Sequence, residues 1–312
     1  MRVVFAGTPD VAVPALRAIL DSAHEVVGVV SRPDAPAGRG RGVRRSPVSV
    51  LADESGVPVL TPVEPRDPDF LDQLKQLAPD VCPVVAYGAL VPRKILDLPR
   101  LGWVNLHFSL LPAWRGAAPV QHAVIHGDEV TGATTFLLEE GMDTGPVLGS
   151  MTETIRSGDT SGDLLGRLAH SGAGLLVATL DALAQGGLTP VRQLGEGVSY
   201  APKISVQDAQ IRWHEPAFAV DRRVRGVTPA PGGWTTFRGQ RLKVSPVTVA
   251  KDVEQEQEHR PPGTLTVGKD TVDVVTGSGT VRLGLVQPPG KKAMPAVDWA
   301  RGSRIEQDEV LG

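Results

Sequence analysis

The sequence of 312 residues has one cysteine, Cys82, and few aromatic residues. One thiol excludes an internal disulfide and a cysteine-rich metal site, and Cys82 stands in an apolar run, 81–86, where a buried structural thiol is expected. No apolar run is long enough for a transmembrane helix, and the N-terminus lacks the charged and apolar regions of a signal peptide. These absences predict a cytoplasmic protein that does not associate with membranes.

Length and charge limit the organisation of the chain. The length exceeds what one hydrophobic core usually supports, so two domains are predicted. The net charge of −3 argues against a protein built wholly around nucleic acid. The charge is uneven, however: residues 208–312 carry 15 Lys and Arg against 13 Asp and Glu, whereas residues 1–207 carry 17 against 22. Residues 38–45, Gly-Arg-Gly-Arg-Gly-Val-Arg-Arg, contain four arginines and no acid.

In the N-terminal half, short β-branched runs alternate with helix-like segments. Fully apolar strands separated by helices predict an α/β domain with a doubly wound, mostly parallel sheet covered on both faces. Ligands of such sheets bind beyond the carboxyl ends of the strands, where Gly7, Gly88 and residues 105–109 are expected. Gly7-Thr-Pro does not match Gly-x-Gly-x-x-Gly, so no dinucleotide site is expected. The strands are predicted at 3–6, 26–30, 81–86, 104–106 and 134–138, and helices at 11–21, 71–77, 119–125 and 160–184.

The C-terminal part changes from a helical period to a period of two. A Gly- and Pro-containing segment, 188–205, is predicted to be a linker, and the acidic run 254–258 a solvated loop. Several short strands separated by turns predict a small OB-like β-barrel. The predicted domains are therefore 1–204 and 205–312. The predicted strands cover 241–249, 263–267, 271–275 and 280–286.

Three polar residues form a candidate catalytic group: Asn105, His107 and Asp143. Asn105 and His107 are two apart on an extended segment and therefore point to the same face. An amide can donate to a developing oxyanion, and an imidazole can accept the proton of an attacking amine. A carboxylate can fix the imidazole tautomer and favour its charged form. A lone Asn or His near a strand end is usually a hydrogen-bonded structural residue, so the assignment depends on the surrounding sequence.

That surrounding sequence is distinctive. Asn105-Leu-His-x-Ser-Leu-Leu-Pro112 is followed by Trp114-Arg-Gly-Ala-Ala-Pro119 and by Gly141-Met-Asp-Thr-Gly-Pro146. These strings resemble the formyltransferase family that uses 10-formyltetrahydrofolate, and within it the members that formylate initiator methionyl-tRNA. The resemblance covers essentially the whole chain. It implies a Rossmann-like catalytic domain, 10-formyltetrahydrofolate as the co-substrate that donates the formyl group, and Asn105, His107 and Asp143 as catalytic residues.

The resemblance also implies which residues line the folate site. Without the resemblance, two leucines that follow a strand would more often belong to the hydrophobic core than to a binding site. Phe108 and Ala113 replace the glycine and arginine that many relatives have at these positions. The implied folate-binding residues are Ser109, Leu110, Leu111 and Pro112, together with Val85, Ala86, Tyr87 and Gly88 from the string Val84-Val-Ala-Tyr-Gly88.

An exposed basic loop is usually only solvated, but the members that act on tRNA carry an arginine-rich insertion at the position of residues 38–45. Arginine can fork onto phosphates, and glycine lets the backbone approach closely. Arg39, Arg41, Arg44 and Arg45 are therefore predicted to contact tRNA. Lys291 and Lys292 match the family as well, although a solvated turn is an alternative for this pair.

Two rival functions remain open. A formyltransferase acting on a small amine would share the three catalytic residues but would not need the arginine loop. A non-catalytic RNA-binding module would not need an intact catalytic group. His122 and His126 have metal-chelating spacing, but no Glu lies between them and no third ligand is nearby, so no metal is expected. A monomer is expected.

Overall fold

The computed structural model of the chain describes residues 1–37, 42–250, 260–306 and 308–312. The predicted tRNA contacts Arg39 and Arg41 and the acidic run 254–258 lie outside the described residues. In the described part, no helix is long and apolar enough to cross a membrane.

Helices and strands alternate through the first half of the chain, as the sequence pattern predicts. The helices are α1 (Val13–Leu20), α2 (Pro47–Glu54), α3 (Pro68–Leu77), α4 (Arg93–Leu96), α5 (Pro119–His126), α6 (Ser161–Ala184), α7 (Ala217–Gly226) and α8 (Ala296–Ser303). The strands up to residue 201 are β1 (Arg2–Gly7), β2 (Glu25–Val30), β3 (Ala35–Ala37), β4 (Gly42–Arg44), β5 (Val59–Leu60), β6 (Cys82–Val85), β7 (Trp103–His107), β8 (Arg115–Gly116), β9 (Val130–Leu137), β10 (Val147–Thr154) and β11 (Tyr200–Ala201).

A seven-stranded sheet organises this half, with the strand order β10-β9-β7-β6-β1-β2-β5. The strands from β7 to β5 pair in parallel, whereas β9 is antiparallel to β7 and β10 is antiparallel to β9. The prediction of a mostly parallel sheet is therefore confirmed. Two strands of this sheet were not predicted. The edge strand β10 is only half-buried and has no continuous apolar run, and β5 has only two residues.

Packing of apolar side chains on both faces of the sheet explains why these segments fold as they do. Helix α1 buries Leu16 and Ile19 completely, and each contributes about 1.5–3 kcal/mol by leaving water. Cys82 is fully buried in β6, as predicted, and burial raises the pKa of its thiol. At the start of α6, the Thr160 amide donates to the Asp163 carboxylate (3.0 Å) and the Asp163 amide donates to the Thr160 hydroxyl (3.2 Å), which closes a capping box.

The chain forms two compact units. The first contains Met1–Gly116, Val130–Thr154 and Leu165–Ala201, and the second contains Ala117–Glu129, Ile155–Leu164 and Pro202–Gly312. Each unit takes in more than one stretch of the chain. The predicted domain boundary between residues 204 and 205 stays a prediction.

Antiparallel strands dominate the second unit, in two four-stranded sheets ordered β12-β13-β18-β19 and β14-β17-β16-β15. Within the residues described, these strands do not close into the predicted barrel. Pro246 and Gly284 explain the difference, because each interrupts a segment that was predicted as one long strand. Pro246 separates β13 from β14 and Gly284 separates β17 from β18, so that β13 and β18 join one sheet and β14 and β17 join the other. The strands are β12 (Trp234–Phe237), β13 (Gln240–Val244), β14 (Thr248–Ala250), β15 (Leu265–Val267), β16 (Val272–Val275), β17 (Thr280–Arg282), β18 (Leu285–Gln287) and β19 (Met294–Pro295).

The segment 188–205 is not the free linker that its composition predicts. Val191 exchanges two backbone hydrogen bonds with Val147, at 2.7 and 2.8 Å. Strand β11 then pairs in parallel with β8. Glycine and proline mark the turns of this segment correctly, but they carry no information about partners that lie far away in the chain. Up to Ala201, the segment is part of the first unit.

Candidate active site

The candidate site lies at the carboxyl end of β7, in the first unit. Asn105 and His107 are two residues apart on β7 and therefore lie on the same face of the strand. Asn105 is half-buried and His107 is buried. β7 pairs with β6 on one side and β9 on the other, and the loop after β9 carries Asp143. The structure brings His107 and Asp143 together, with 3.8 Å between Nδ1 and Oδ2. Asn105 and Asp143 line the same cavity.

The buried imidazole of His107 has one dominant tautomer. Its Nε2 lies 2.9 Å from the carbonyl oxygen of Trp114. Because a carbonyl can only accept, Nε2 must carry the proton, and the neutral ring presents an unprotonated Nδ1 towards Asp143. The Trp114 carbonyl therefore fixes the tautomer, a task that the sequence analysis assigned to Asp143.

Two opposing effects act on the charge of this imidazole. Burial lowers the pKa of His107, while the negative charge of Asp143 and the hydrogen bond to Trp114 act to raise it. Burial is the largest of these effects, so the ring is neutral near pH 7 and can accept a proton. The negative charge of Asp143 favours the protonated form of the ring.

The backbone of Asp143 is held in a left-handed conformation, with φ at 52°. A residue other than glycine in this region costs about 1–3 kcal/mol, which the surrounding contacts must offset. Its Oδ2 accepts a hydrogen bond from the Gly116 amide at 2.7 Å. Gly116 has φ at +125°, and a Cβ there would lie 2.7 Å from the Ala201 carbonyl oxygen. Glycine is therefore required where the chain presents this amide to Asp143.

A cavity of about 890 Å³ opens beside Asn105 and Asp143. Its lining residues come mostly from two loops, one after β6 and one after β9, and partly from residues 64–66. They include apolar residues and charged ones such as Arg93 and Glu139. Leu90 and Met142 line it and are largely exposed to solvent, at 91% and 65%. The cavity is large enough for a flat organic ligand that places a reactive atom near Asn105. The apolar lining includes Val84, Leu90, Val91, Leu96, Leu138 and Met142.

The predicted folate-binding residues divide into two groups. Ala86, Tyr87 and Gly88 line the cavity, whereas Val85 is fully buried and does not. Ser109, Leu110, Leu111 and Pro112 are not among the residues that line it either. Whether this second group contacts folate stays a prediction.

The segment that begins at Ser109 is tied to strand β9. The Ser109 hydroxyl donates to the Ala113 carbonyl at 2.6 Å, and the Thr134 hydroxyl donates to the Ser109 carbonyl at 2.7 Å. The Leu111 amide donates to the Thr134 hydroxyl at 3.2 Å. Phe108, one of the departures from the family pattern, is buried and does not line the cavity. These bonds fix the chain immediately after His107.

Four groups that support the site were not found from the sequence: the Trp114 carbonyl, the Gly116 amide, the side chain of Gln193 and the hydroxyl of Ser199, which accepts from the Trp114 amide at 2.9 Å. The Trp114 carbonyl and the Gly116 amide are backbone groups, which nearly every residue type has, so the sequence does not reveal them. Gln193 lies 50 residues after Asp143, in the segment predicted to be a linker. Only the string Trp114-Arg-Gly116, already part of the family resemblance, could have drawn attention to the first two.

The predicted basic contacts that the structure describes differ in how they are held. Arg44 is exposed on β4, which pairs with β3 in a hairpin. Arg45 is paired with Asp53, through a bond of 2.8 Å from its Nη2 and a second, shorter one from its Nε, and lies 3.7 Å from Asp34. The bond to Asp53 raises the pKa of Arg45. Lys291 and Lys292 are exposed in the turn between β18 and β19 of the second unit.

The histidine pair on α5 forms contacts with protein groups. The rings of His122 and His126 stack at 5.7 Å. His122 bonds to the Pro202 carbonyl through Nε2, and His126 bonds to the His122 carbonyl through Nδ1. No group of three or more metal-ligating side chains is found in the part of the chain that the structure describes.

Comparison with known proteins decides the family. Residues 1–180 match the family described as formyl transferase, and residues 203–304 match the formyl transferase C-terminal domain. The chain belongs to the formyl transferase family. Proteins named methionyl-tRNA formyltransferase from Salinispora arenicola and Streptomyces coelicolor are 62% and 61% identical to it, and each match covers all of both chains. The family resemblance drawn from the motifs is confirmed.

Solved structures show the same fold. The N-formyltransferase from Helicobacter canadensis, in a complex with folinic acid and dTDP-3-aminofucose, matches with a TM-score of 0.67. The match covers 92% of this chain and 98% of that one, at 16% identity. At this identity the similarity concerns the fold alone.

Proposed function

We propose that this chain transfers the formyl group of 10-formyltetrahydrofolate to the α-amine of methionine on initiator methionyl-tRNA. The product is the N-formylmethionyl-tRNA used in translation initiation. The observation that carries the proposal is a cavity of about 890 Å³ that Asn105 and Asp143 line, with the buried His107 3.8 Å from the Asp143 carboxylate. Full-length relatives at about 60% identity that are named methionyl-tRNA formyltransferase support the choice of substrate.

The reaction is an acyl transfer without a covalent enzyme intermediate. The amine attacks the formyl carbon, and a tetrahedral intermediate with a negative oxygen forms before the folate nitrogen leaves. Asn105 lines the cavity, and its amide would donate to that oxygen. One such donor is worth about 3–4 kcal/mol in comparable acyl-transfer sites.

His107 handles the proton that the attacking amine must lose. Burial keeps the imidazole neutral, and the Trp114 carbonyl keeps Nδ1 free of a proton. Nδ1 would take up the amine proton directly or through water, while Asp143 stabilises the resulting imidazolium across 3.8 Å. The proton is then available for the departing folate nitrogen.

The cavity fits the proposed formyl donor. A pterin is flat and carries polar edges, and the cavity is lined by apolar and charged side chains and by the exposed residues Ala86 and Gly88. Both residues have positive φ, 47° and 83°, which turns the chain after β6 along the cavity. Ser109, Leu110, Leu111 and Pro112 are proposed to complete the folate site from the neighbouring segment.

Binding of tRNA is proposed to involve both regions of the chain. Arg39, Arg41, Arg44 and Arg45 would contact the acceptor end, and Lys291 and Lys292 would contact phosphates. Of these, Arg45 is already paired with Asp53, so Arg44 is the more available partner among the described arginines. We further propose that 1–204 is the catalytic domain and 205–312 the tRNA-binding domain of a cytoplasmic monomer.

The decisive experiment measures formyl transfer with purified protein. We expect 10-formyltetrahydrofolate and methionyl-tRNA to give formylmethionyl-tRNA at a rate that His107→Ala abolishes. A dTDP-linked amino sugar and glycinamide ribotide, offered as competing amines, should give no product. Transfer to either small amine in preference to methionyl-tRNA would contradict the proposal.

A further inference from the structure

The turn 143–145 presents the Asp143 carboxylate to His107. Asp143 is in the left-handed region, which is uncommon for residues other than glycine, although aspartate adopts it more readily than most. Gly145 is closely packed, because a Cβ there would lie 1.7 Å from the Leu137 carbonyl oxygen. A small rotation of this turn would move the carboxylate away from the imidazole.

One side chain joins both ends of the turn. The amide nitrogen of Gln193 donates to the Asp143 carbonyl at 2.8 Å and to the Gly145 carbonyl at 2.8 Å. A primary amide has two N–H donors, and both are used here. Gln193 therefore bridges the turn from outside it, through the backbone of the residue that faces His107.

Gln193 is itself held in one orientation. Its Oε1 accepts from Nε and Nη2 of Arg115, at 3.1 and 2.6 Å. Because Arg115 only donates and the two backbone carbonyls only accept, the amide has a single orientation that satisfies all four bonds. Two residues earlier, Val191 is bonded to Val147 through two backbone hydrogen bonds, which fixes the chain on which Gln193 stands.

We propose that Gln193 is a positioning residue for formyl transfer, whose amide holds the turn 143–145 so that the Asp143 carboxylate stays against His107. The inference rests on the proposed function and extends it to a side chain that touches no reacting atom. Arg115 supports the same arrangement by orienting the Gln193 amide. The segment after α6 thus takes part in the geometry of the catalytic group.

Two substitutions separate positioning from simple packing. Gln193→Ala removes all four bonds. Gln193→Glu keeps the size of the side chain and the pairing with Arg115, but replaces the donating nitrogen by an oxygen atom that faces the two backbone carbonyls. A packing role predicts that glutamate restores function, whereas a positioning role predicts that both variants lose it. Leu194→Ala is the matched control, because Leu194 is adjacent and its side chain is 75% exposed.

We expect both Gln193 variants to lower kcat by about tenfold to a hundredfold, since a misplacement near 1 Å can cost that much. The KM for methionyl-tRNA and the fraction of folded protein should match those of Leu194→Ala. Full activity of Gln193→Glu would overturn the proposal, and so would a loss of kcat explained wholly by unfolding.

A second readout needs no substrate. Asp143 raises the pKa of His107, so displacing it should lower the pKa of the imidazole measured by NMR in the free Gln193→Ala protein. An unchanged His107 pKa in both variants would contradict the inference. This result stands whether or not the wild-type protein formylates methionyl-tRNA. Lack of that activity in the wild type would contradict the proposed function and leave the positioning role to be decided by the imidazole pKa.

Discussion

The backbone carbonyl of Trp114 lies 2.9 Å from Nε2 of His107, on the other side of the ring from Asp143. This contact divides two tasks that a single carboxylate performs in many catalytic groups. The carbonyl selects the tautomer, and in the proposed mechanism Asp143 stabilises the charge that the ring acquires. Changes at Asp143 should therefore alter the energetics of the imidazolium without reversing which nitrogen accepts the proton.

Replacement of the groups at the reacting centre should remove turnover. We expect His107→Ala and Asn105→Ala each to reduce kcat by about two to four orders of magnitude, with tRNA affinity nearly unchanged. Single-turnover formylation and a tRNA binding assay measure the two quantities. His170→Ala is the control, because His170 is exposed on α6 and bonded to the Gly166 carbonyl. Retention of more than about a tenth of wild-type kcat would contradict the assignment.

The pH profile should reveal the buried base. His107 is active as a base only when it is unprotonated, so kcat/KM falls as the pH drops through its pKa. Burial lowers that pKa from the ordinary 6.5, and the acidic limb should therefore lie below pH 6.5. Asp143→Asn removes an effect that raises the pKa, so the limb should move to still lower pH while the maximal rate falls. A limb above 6.5, or one that rises in the variant, would refute this account.

The arginine-rich loop should couple tRNA binding to chemistry. Arg39→Ala is expected to lower kcat/KM for methionyl-tRNA by more than the loss of one phosphate contact explains. Loss of one such contact alone would change the slope of log affinity against log salt concentration by about one. Arg45→Ala should have a smaller effect, because Arg45 is already paired with Asp53. Trypsin should cut the free protein after Arg39 or Arg41 and should be blocked by saturating methionyl-tRNA. Equal cleavage with and without methionyl-tRNA would contradict a role of the loop in tRNA binding.

Gly116 should be intolerant of any side chain. Gly116→Ala would place a Cβ 2.7 Å from the Ala201 carbonyl oxygen at a φ of +125°. We expect a loss of about 1–3 kcal/mol in the free energy of unfolding, together with a lower kcat, because the Gly116 amide also binds Asp143. Gly187→Ala, where the added methyl meets nothing within 4 Å, is the control. Urea unfolding and formylation assays on the same preparations would show whether both losses occur.

The sequence predicts the parts of this protein that have a local signal. Apolar runs predicted five of the seven strands of the central sheet, all but β5 and β10, and a string of motif residues identified the family. The alternation of apolar and polar residues indicated antiparallel strands in the second unit. It did not show that the chain would cross from one sheet to the other at Pro246 and at Gly284. Such a crossing depends on which strands the residues on either side pair with, and these partners lie elsewhere in the sequence.

The supports of the site could not be predicted for a similar reason. The amide of Gly116 acts through its N–H, which every residue but proline possesses. Gln193 and Ser199 reach the site across 50 and 85 residues, the latter through a bond from the Trp114 amide to the Ser199 hydroxyl. Such contacts leave no periodicity in either segment. The roles of Asn105, His107 and Asp143 themselves stay predictions until the variants are measured.

The pairing of β8 with β11 has a consequence for the order in which the protein is made. Asn105, His107 and Asp143 leave the ribosome before Gln193, Ser199 and Tyr200–Ala201, which hold Trp114 and the turn at Asp143. A nascent chain that has emerged only to residue 187 contains every proposed catalytic residue but lacks these supports. Ribosome-bound chains arrested at successive lengths should therefore acquire formylation activity only after residue 201 has cleared the exit tunnel.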